Sequence, residues 1–201
     1  GGGEDAGAYD PVIDPANFVD TIDNQYFPLV PGTIFTYQEG DQTVVIEVTT
    51  DTKVILGVTC AVVHDTVKDA SGGLVEDTFD WYAQDTDGNV CYFGEDTREY
   101  EAGVVVSTEG TWEGGVDGAK PGIVMKGDPK VGESYRQEYY VGIAEDRAEV
   151  LSLTEQAVVP YGTFDNCLMT EDYTELAPGT VEHKYFCPGV GQVLAEIVEG
   201  G

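Results

Sequence analysis

Between Thr33 and Phe93 the chain alternates apolar and polar residues in short runs, and a period of two limits it to strands whose faces differ. The runs are Thr33-Ile-Phe-Thr-Tyr-Gln-Glu, Thr43-Val-Val-Ile-Glu-Val-Thr, Val58-Thr-Cys-Ala-Val-Val-His, Asp77-Thr-Phe-Asp-Trp-Tyr-Ala-Gln and Asn89-Val-Cys-Tyr-Phe. Turn signals close them at short intervals: Glu39-Gly-Asp, Ser71-Gly-Gly, Asp85-Thr-Asp-Gly and Ala102-Gly. A sustained 3.6-residue period is lacking, although residues 143 to 153 are compatible with a short helix. The pattern predicts an all-β fold, an antiparallel meander forming a barrel or curled sheet. With 41% hydrophobic residues and 10% aromatics, the 201-residue chain has material for one packed core.

An internal echo refines this architecture. Pro31-Gly-Thr-Ile-Phe-Thr-Tyr returns in outline as Val131-Gly-Glu-Ser-Tyr-Arg-Gln, Val54-Ile-Leu-Gly57 as Val158-Val-Pro-Tyr-Gly162, and Trp81-Tyr82 as Lys184-Tyr185. Near-constant offsets predict two related half-sheets with the same strand order, about 32–109 and 130–201, within a single β domain spanning 32–201. A Gly/Pro-rich crossover from Gly110 to Pro129 joins them, with Trp112 as a lid on the core. Residues 1–31 are expected to form an extended N-terminal arm, because Pro11, Pro15, Pro28 and Pro31 forbid a long helix while Val12, Ile13, Phe18, Ile22, Tyr26, Phe27 and Leu29 offer apolar side chains. Such an arm, docking on a neighbour's sheet edge, is expected to drive self-association, even into a filament.

Charge decides which partners are open to the chain. With 38 Asp and Glu against 9 Lys and Arg, the formal charge is -29. Nucleic acid and anionic lipid are repelled, and cations, calcium above all, are expected to relieve the self-repulsion. No apolar run is long enough for a membrane span. The Gly-Gly-Gly-Glu-Asp opening suits a tether just after a secretion or lipid-attachment site, so a lipid anchor upstream of residue 1 and an extracellular or cell-surface location are the expectations. Cys60, Cys91, Cys167 and Cys187 have no CxxC or CxxCH spacing, which argues against a zinc knuckle, a thioredoxin-like pair and c-type haem. A glycine-rich phosphate loop is also missing, so no nucleotide is expected.

Three constellations carry chemistry. Asp85, Asp87 and Asn89 surround the Gly88 turn with Glu95 and Asp96 downstream, so these five are the candidate calcium ligands, although Asp-Gly is also ordinary hairpin chemistry. His64 and His183 are the only histidines, and with Glu171 they form a candidate second metal or polar site if the half-sheets face each other. Cys167 and Cys187 are predicted to be disulfide-bonded across the last hairpin. The register that centres on Leu176-Ala-Pro-Gly sets 167 opposite 187, Glu171 opposite His183 and Leu168 opposite Phe186. Cys60 and Cys91 lie two strands apart in a simple meander, roughly 9–10 Å, too far to bridge unless the sheet curls. Twelve tyrosines suit half-buried strand positions or, at a barrel mouth, the walls of a ligand site. Serine elbows and HExxH motifs are absent, and carboxylates are too abundant for two to be singled out as an acid–base pair.

The run from Asp80 to Asp96, DWYAQDTDGNVCYFGED, resembles the signature of a broad family of secreted or lipid-anchored bacterial β-rich proteins without a characterised activity. Asn24-Gln-Tyr-Phe-Pro-Leu-Val-Pro-Gly-Thr33, Pro160-Tyr-Gly-Thr-Phe-Asp-Asn166 and Val181-Glu-His-Lys-Tyr-Phe-Cys-Pro-Gly-Val-Gly191 are similar to the same family. In that pattern Cys91 stands where Trp is usual, and Cys167 and Cys187 where apolar or small residues are usual, which implies added covalent stabilisation in this chain. The leading functional expectation is an exported, non-enzymatic β-domain with a structural or adhesive role, calcium-binding and self-assembling. The alternatives are a calycin-like carrier of a small apolar or sugar ligand, and a carboxylate-dependent hydrolase.

Overall fold

The computed structural model describes residues 9–200; the glycine-rich opening expected to serve as a tether lies outside them. Strands make up 62% of the protein, and the one helical element among the described residues is a single 3-10 turn, Pro15–Asn17. The strands are β1 Phe18–Val19, β2 Ile34–Glu39, β3 Gln42–Ile55, β4 Val58–Lys68, β5 Leu74–Asp85, β6 Val90–Glu101, β7 Val104–Ser107 and β8 Trp112–Glu113. They continue as β9 Lys120–Met125, β10 Ser134–Arg136, β11 Glu138–Tyr139, β12 Arg147–Val159, β13 Gly162–Tyr173, β14 Val181–Cys187 and β15 Gly191–Glu199. A curled antiparallel sheet runs in the order β11-β9-β6-β5-β4-β3-β2, with β1, β7 and β8 attached at its sides, and a second sheet runs β10-β12-β13-β14-β15.

The two half-sheets share one plan. In both, five strands follow the same order, β2-β3-β4-β5-β6 and β10-β12-β13-β14-β15. Each begins at a glycine with positive φ, Gly32 at 88° and Gly132 at 85°. The Gly32 N–H donates to Val48 O and Val48 N–H returns to Thr33 O; Gly132 N–H donates to Val150 O and Val150 N–H returns to Glu133 O. From these anchors the registers run Val48–Val63–Asp80–Glu95 in one half and Val150–Thr170–Lys184–Ala195 in the other. Asp80-Trp81 is therefore the counterpart of Lys184-Tyr185, one residue away from the match that side-chain likeness suggests.

Alternation assigns the faces. Val48, Val63 and Val90 point from the first sheet into a core shared with Tyr135, Ala148, Val150, Leu168 and Phe186 of the second. The opposite face of the first sheet carries Ile55, Cys60, Trp81, Cys91 and Phe93, covered by Ile13 and Phe18 of the arm. Further along, Ile22, Tyr26 and Leu29 enter the shared core, and buried Asn24 fastens the arm by donating from Nδ2 to Gly88 O and Lys126 O. Of the apolar side chains expected to serve a neighbour's sheet edge, Ile22, Tyr26 and Leu29 are buried and Ile13, Phe18 and Phe27 partly buried within the same chain, while Val12 is exposed.

Two local expectations are corrected. Residues 147–159 form β12 and not a helix, because Arg147 to Val150 pair residue for residue with Tyr173 to Thr170 while Ala148 and Val150 alternate into the core. The stretch 110–129 is more than a crossover loop: β8 and β9 both pair with β6 and extend the first sheet. Gly94, at φ 133°, lets β8 approach, since a Cβ there would lie 2.3 Å from Trp112 O. Trp112, expected as a lid on the core, is buried with its ring edge-on to Tyr92.

Candidate functional site

Between the two sheets lies a cavity of about 380 Å³. Its aromatic and apolar wall comes from Phe27, Phe35, Tyr37, Tyr82 and Phe186; its polar wall carries Asp65, Asp80, Glu95, Glu138 and Asp146, with Lys184 the single ammonium. Strand parity explains the acids. Asp65 follows Val63 by two on β4 and Asp80 precedes Tyr82 by two on β5, so both occupy the apolar phase of their strands and must face inward.

At the centre Asp80 and Glu95 stand directly opposite each other on β5 and β6. The Tyr92 hydroxyl lies 2.6 Å from Asp80 Oδ1 and 3.0 Å from Glu95 Oε2. A phenol has one proton to donate, so both contacts are hydrogen bonds only when one carboxyl carries a proton of its own. Tyr82 stacks on Tyr92 at 4.8 Å between ring centres, and the Trp112 Nε1–H donates to Glu138 Oε2 at 3.0 Å. Burial, reinforced by neighbouring carboxylates, pushes Asp80 up to about 8, Glu138 up to about 8, Glu95 up to about 7 and Asp65 up to about 6. Asp146 is raised as well, with burial partly offset by Lys184. The result is a cavity wall that holds protons near neutral pH.

The second half balances its charges internally. Lys184 Nζ sits 3.0 Å from Asp172 Oδ2 and 3.6 Å from Glu182 Oε2. Asp172 also accepts from the Thr170 hydroxyl at 2.5 Å and from Gln137 Nε2 at 3.1 Å. Burial works against the Lys184 charge, but the carboxylates outweigh it and its pKa is raised. Tyr37 also lines the cavity, and its hydroxyl donates to Gln192 O and links β2 to β15.

The five candidate calcium ligands do not converge. Asp85 Oδ1 accepts from the Asp87 and Asn89 N–H groups, its Oδ2 accepts from Asn89 Nδ2, and Asn89 Oδ1 accepts from Gly127 N–H; the turn itself uses these oxygens. Glu95 lies five residues along β6 from Val90, roughly 16 Å at about 3.3 Å per residue, inside the cavity. Asp96 faces the other way and pairs with Arg98 at 2.9 Å. His64 and His183 are not brought together either. Each sits on the outward face of its own sheet, His64 stacked on Phe79 and 2.6 Å from Asp77, His183 opposite Glu171 at 3.7 Å. Among the described residues no three His, Cys, Asp or Glu side chains are grouped to hold a metal ion.

The cysteines follow the register. Cys167 and Cys187 form a disulfide with S–S 2.01 Å, in a small outward cluster with Ala157, Phe164 and Tyr185. Cys60 and Cys91 are free and buried, and the first half's register sets them in a row with Ala83 between. Sequence reading did not single out Asp65, Asp80, Glu138 or Asp146, whereas Tyr92 was among the tyrosines expected as walls of a ligand site. A usable signal was present for the first two, an acid in the apolar phase of a strand; Glu138 and Asp146 reach the cavity through a two-residue strand and a loop, which periodicity does not resolve.

Among the described residues no helix is long and apolar enough to cross a membrane. Compared with protein-family models, curated proteins and solved structures, the chain shows no match.

Proposed function

We propose that the protein is an exported, non-enzymatic β-domain that carries a small polar ligand in the cavity between its sheets. The observation that supports this most is the cavity itself, of about 380 Å³, with aromatic walls and a few placed polar groups, the usual composition of a small-molecule site. The carrier reading gains over a structural or adhesive role because most of the arm's large apolar residues, Ile13, Phe18, Ile22, Tyr26 and Leu29, pack against their own domain. Export fits the disulfide, which persists in oxidising compartments, and fits the resemblance to secreted proteins.

The test is ligand-observed NMR with a panel of monosaccharides, aliphatic amines and short fatty acids, comparing the wild type with Val63→Phe. Val63 lines the cavity and is 3% exposed, so the larger ring fills ligand space. At least one class is expected to bind the wild type and to lose binding in the folded variant. A panel that treats both proteins alike sinks the carrier reading.

A further inference from the structure

Resting on the carrier reading, we infer that the cavity's ligand is a small organic ammonium ion, whose entry displaces one proton from the Asp80–Tyr92–Glu95 trio. Four observations converge on this. The first is the hydrogen count: one phenolic proton faces two carboxyl groups at hydrogen-bond distance, so the trio as arranged holds an additional proton. That proton does the work of an absent positive charge. The second is Asp65, a residue of the same cavity wall, whose Oδ1 is covered by protein and has no hydrogen-bond partner. A buried acceptor of this kind is costly unless a donor arrives.

The third observation is internal to the molecule. By strand register Asp80 occupies in the first half the place that Lys184 occupies in the second. There, an ammonium at the inner face is held by Asp172 and Glu182, which shows what such a position does with a primary amine. The fourth is the aromatic wall of Phe27, Phe35, Tyr37 and Tyr82, whose ring faces attract a desolvated cation. A metal ion suits this site less well, because the carboxylates are spread over the walls and do not converge at one point, whereas an organic cation spans them.

The exchange is a proton-for-cation swap without covalent change. The carboxyl O–H of Asp80 or Glu95 releases H⁺ to solvent, R–NH₃⁺ takes its place against the carboxylates, and the net charge of the site is unchanged. The groups that face this trio are Asp65 on β4, Glu76 on β5, Glu138 on β11, Asp146 before β12, Lys184 on β14 and the Tyr82 phenol. All but Lys184 favour holding the proton when no cation is present. Each reinforces the coupling.

Isothermal titration calorimetry with 1,4-diaminobutane, run in buffers of different ionisation enthalpy, tests the inference, with glucose as the neutral probe. The diamine is expected to bind the wild type with about one proton released. Its affinity should rise about tenfold per pH unit below the trio's titration, as linkage requires. Asp80→Asn should lose the proton release and weaken binding at least tenfold, and Val63→Phe should abolish it. Glucose binding that Val63→Phe blocks, without proton exchange and without diamine binding, overturns the ammonium inference and leaves the carrier reading standing. Diamine binding that both variants retain and that salt abolishes marks attraction to the acidic exterior and overturns the inference. Binding without proton release overturns the displacement clause. If neither probe binds, the inference falls, and the NMR panel decides separately whether the carrier reading falls with it.

Discussion

The two half-sheets begin from the same glycine anchor and the same strand order, yet they are stabilised by opposite means. The first is covered on both sides, by the arm on its outer face and the second sheet on its inner face, and it holds its inward acids Asp80 and Glu95 against the Tyr92 hydroxyl. The second neutralises Asp172 with Lys184 and closes its outer face with a disulfide. The cysteines show the divergence position by position. Register places Cys60 where the second half has Cys167, Ala83 where it has Cys187, and Cys91 where it has Gly191. One half has adjacent cysteines and a bond, while the other has a small residue between two thiols and an apolar arm instead. Covalent closure and arm coverage are therefore alternative solutions for the same face.

If that contrast is right, the largest effect belongs to the arm. Deleting residues 1–23 uncovers Trp81, Phe93 and Cys60 and removes Ile22 from the core, so loss of the cooperative unfolding transition is expected, read by near-UV circular dichroism. A folded monomer after deletion breaks the comparison. Next is the disulfide: Cys187→Ser should cost on the order of 3 kcal/mol for a loop of this length, yet leave a folded protein, as denaturant titration would show.

The unpaired acids come third, and their sign is fixed by linkage. An unfolded Asp titrates at about 4. Folded Asp80 does so at about 8, so between those values the native state binds the extra proton. Stability from this group is therefore fully present below the unfolded value and is lost as pH rises to the folded one. Asp80→Asn should stabilise the protein at pH 8 by roughly 1–3 kcal/mol and flatten its pH dependence, whereas Asp172→Asn should destabilise it by leaving Lys184 less well paired. Equal responses from the two halves would dissolve the contrast.

A smaller effect sharpens the comparison. Ala83→Cys puts the second half's cysteine arrangement into the first, and a bond to Cys60 is expected, mapped by mass spectrometry under non-reducing conditions. The gain should be about 1–2 kcal/mol, since engineered bridges deliver less than the chain-entropy value. The smallest effect is at His183. Its contact with Glu171 is long and partly exposed, so His183→Gln should change stability by less than about 0.5 kcal/mol.

Much of the fold was legible because it rests on local chemistry. The turns at Glu39-Gly-Asp and Asp85-Thr-Asp-Gly are where sequence places them, and the last hairpin's register sets Leu168 against Phe186 as its turn dictates. The repeat was legible through glycines that recur at nearly one offset. Its side-chain match slipped by one residue at Trp81, since likeness of Tyr to Tyr competes with a register that only hydrogen bonds define. The site was less legible for a physical reason. Calcium loops advertise themselves within a short segment, whereas this cavity draws Asp80 from β5, Glu138 from a two-residue strand and Asp146 from a loop, and three-dimensional proximity of that kind leaves no spacing to read.

The glycine anchors bear on how far the two halves can differ. Gly32 and Gly132 keep the same φ and the same pair of hydrogen bonds, to Val48 and to Val150, in halves whose other side chains have largely parted. The backbone addresses thus define the shared plan, and different side chains are accommodated around them. The same inward position is Lys184 in one half and Asp80 in the other, so one residue sets the sign of charge at the cavity wall without altering the strand order.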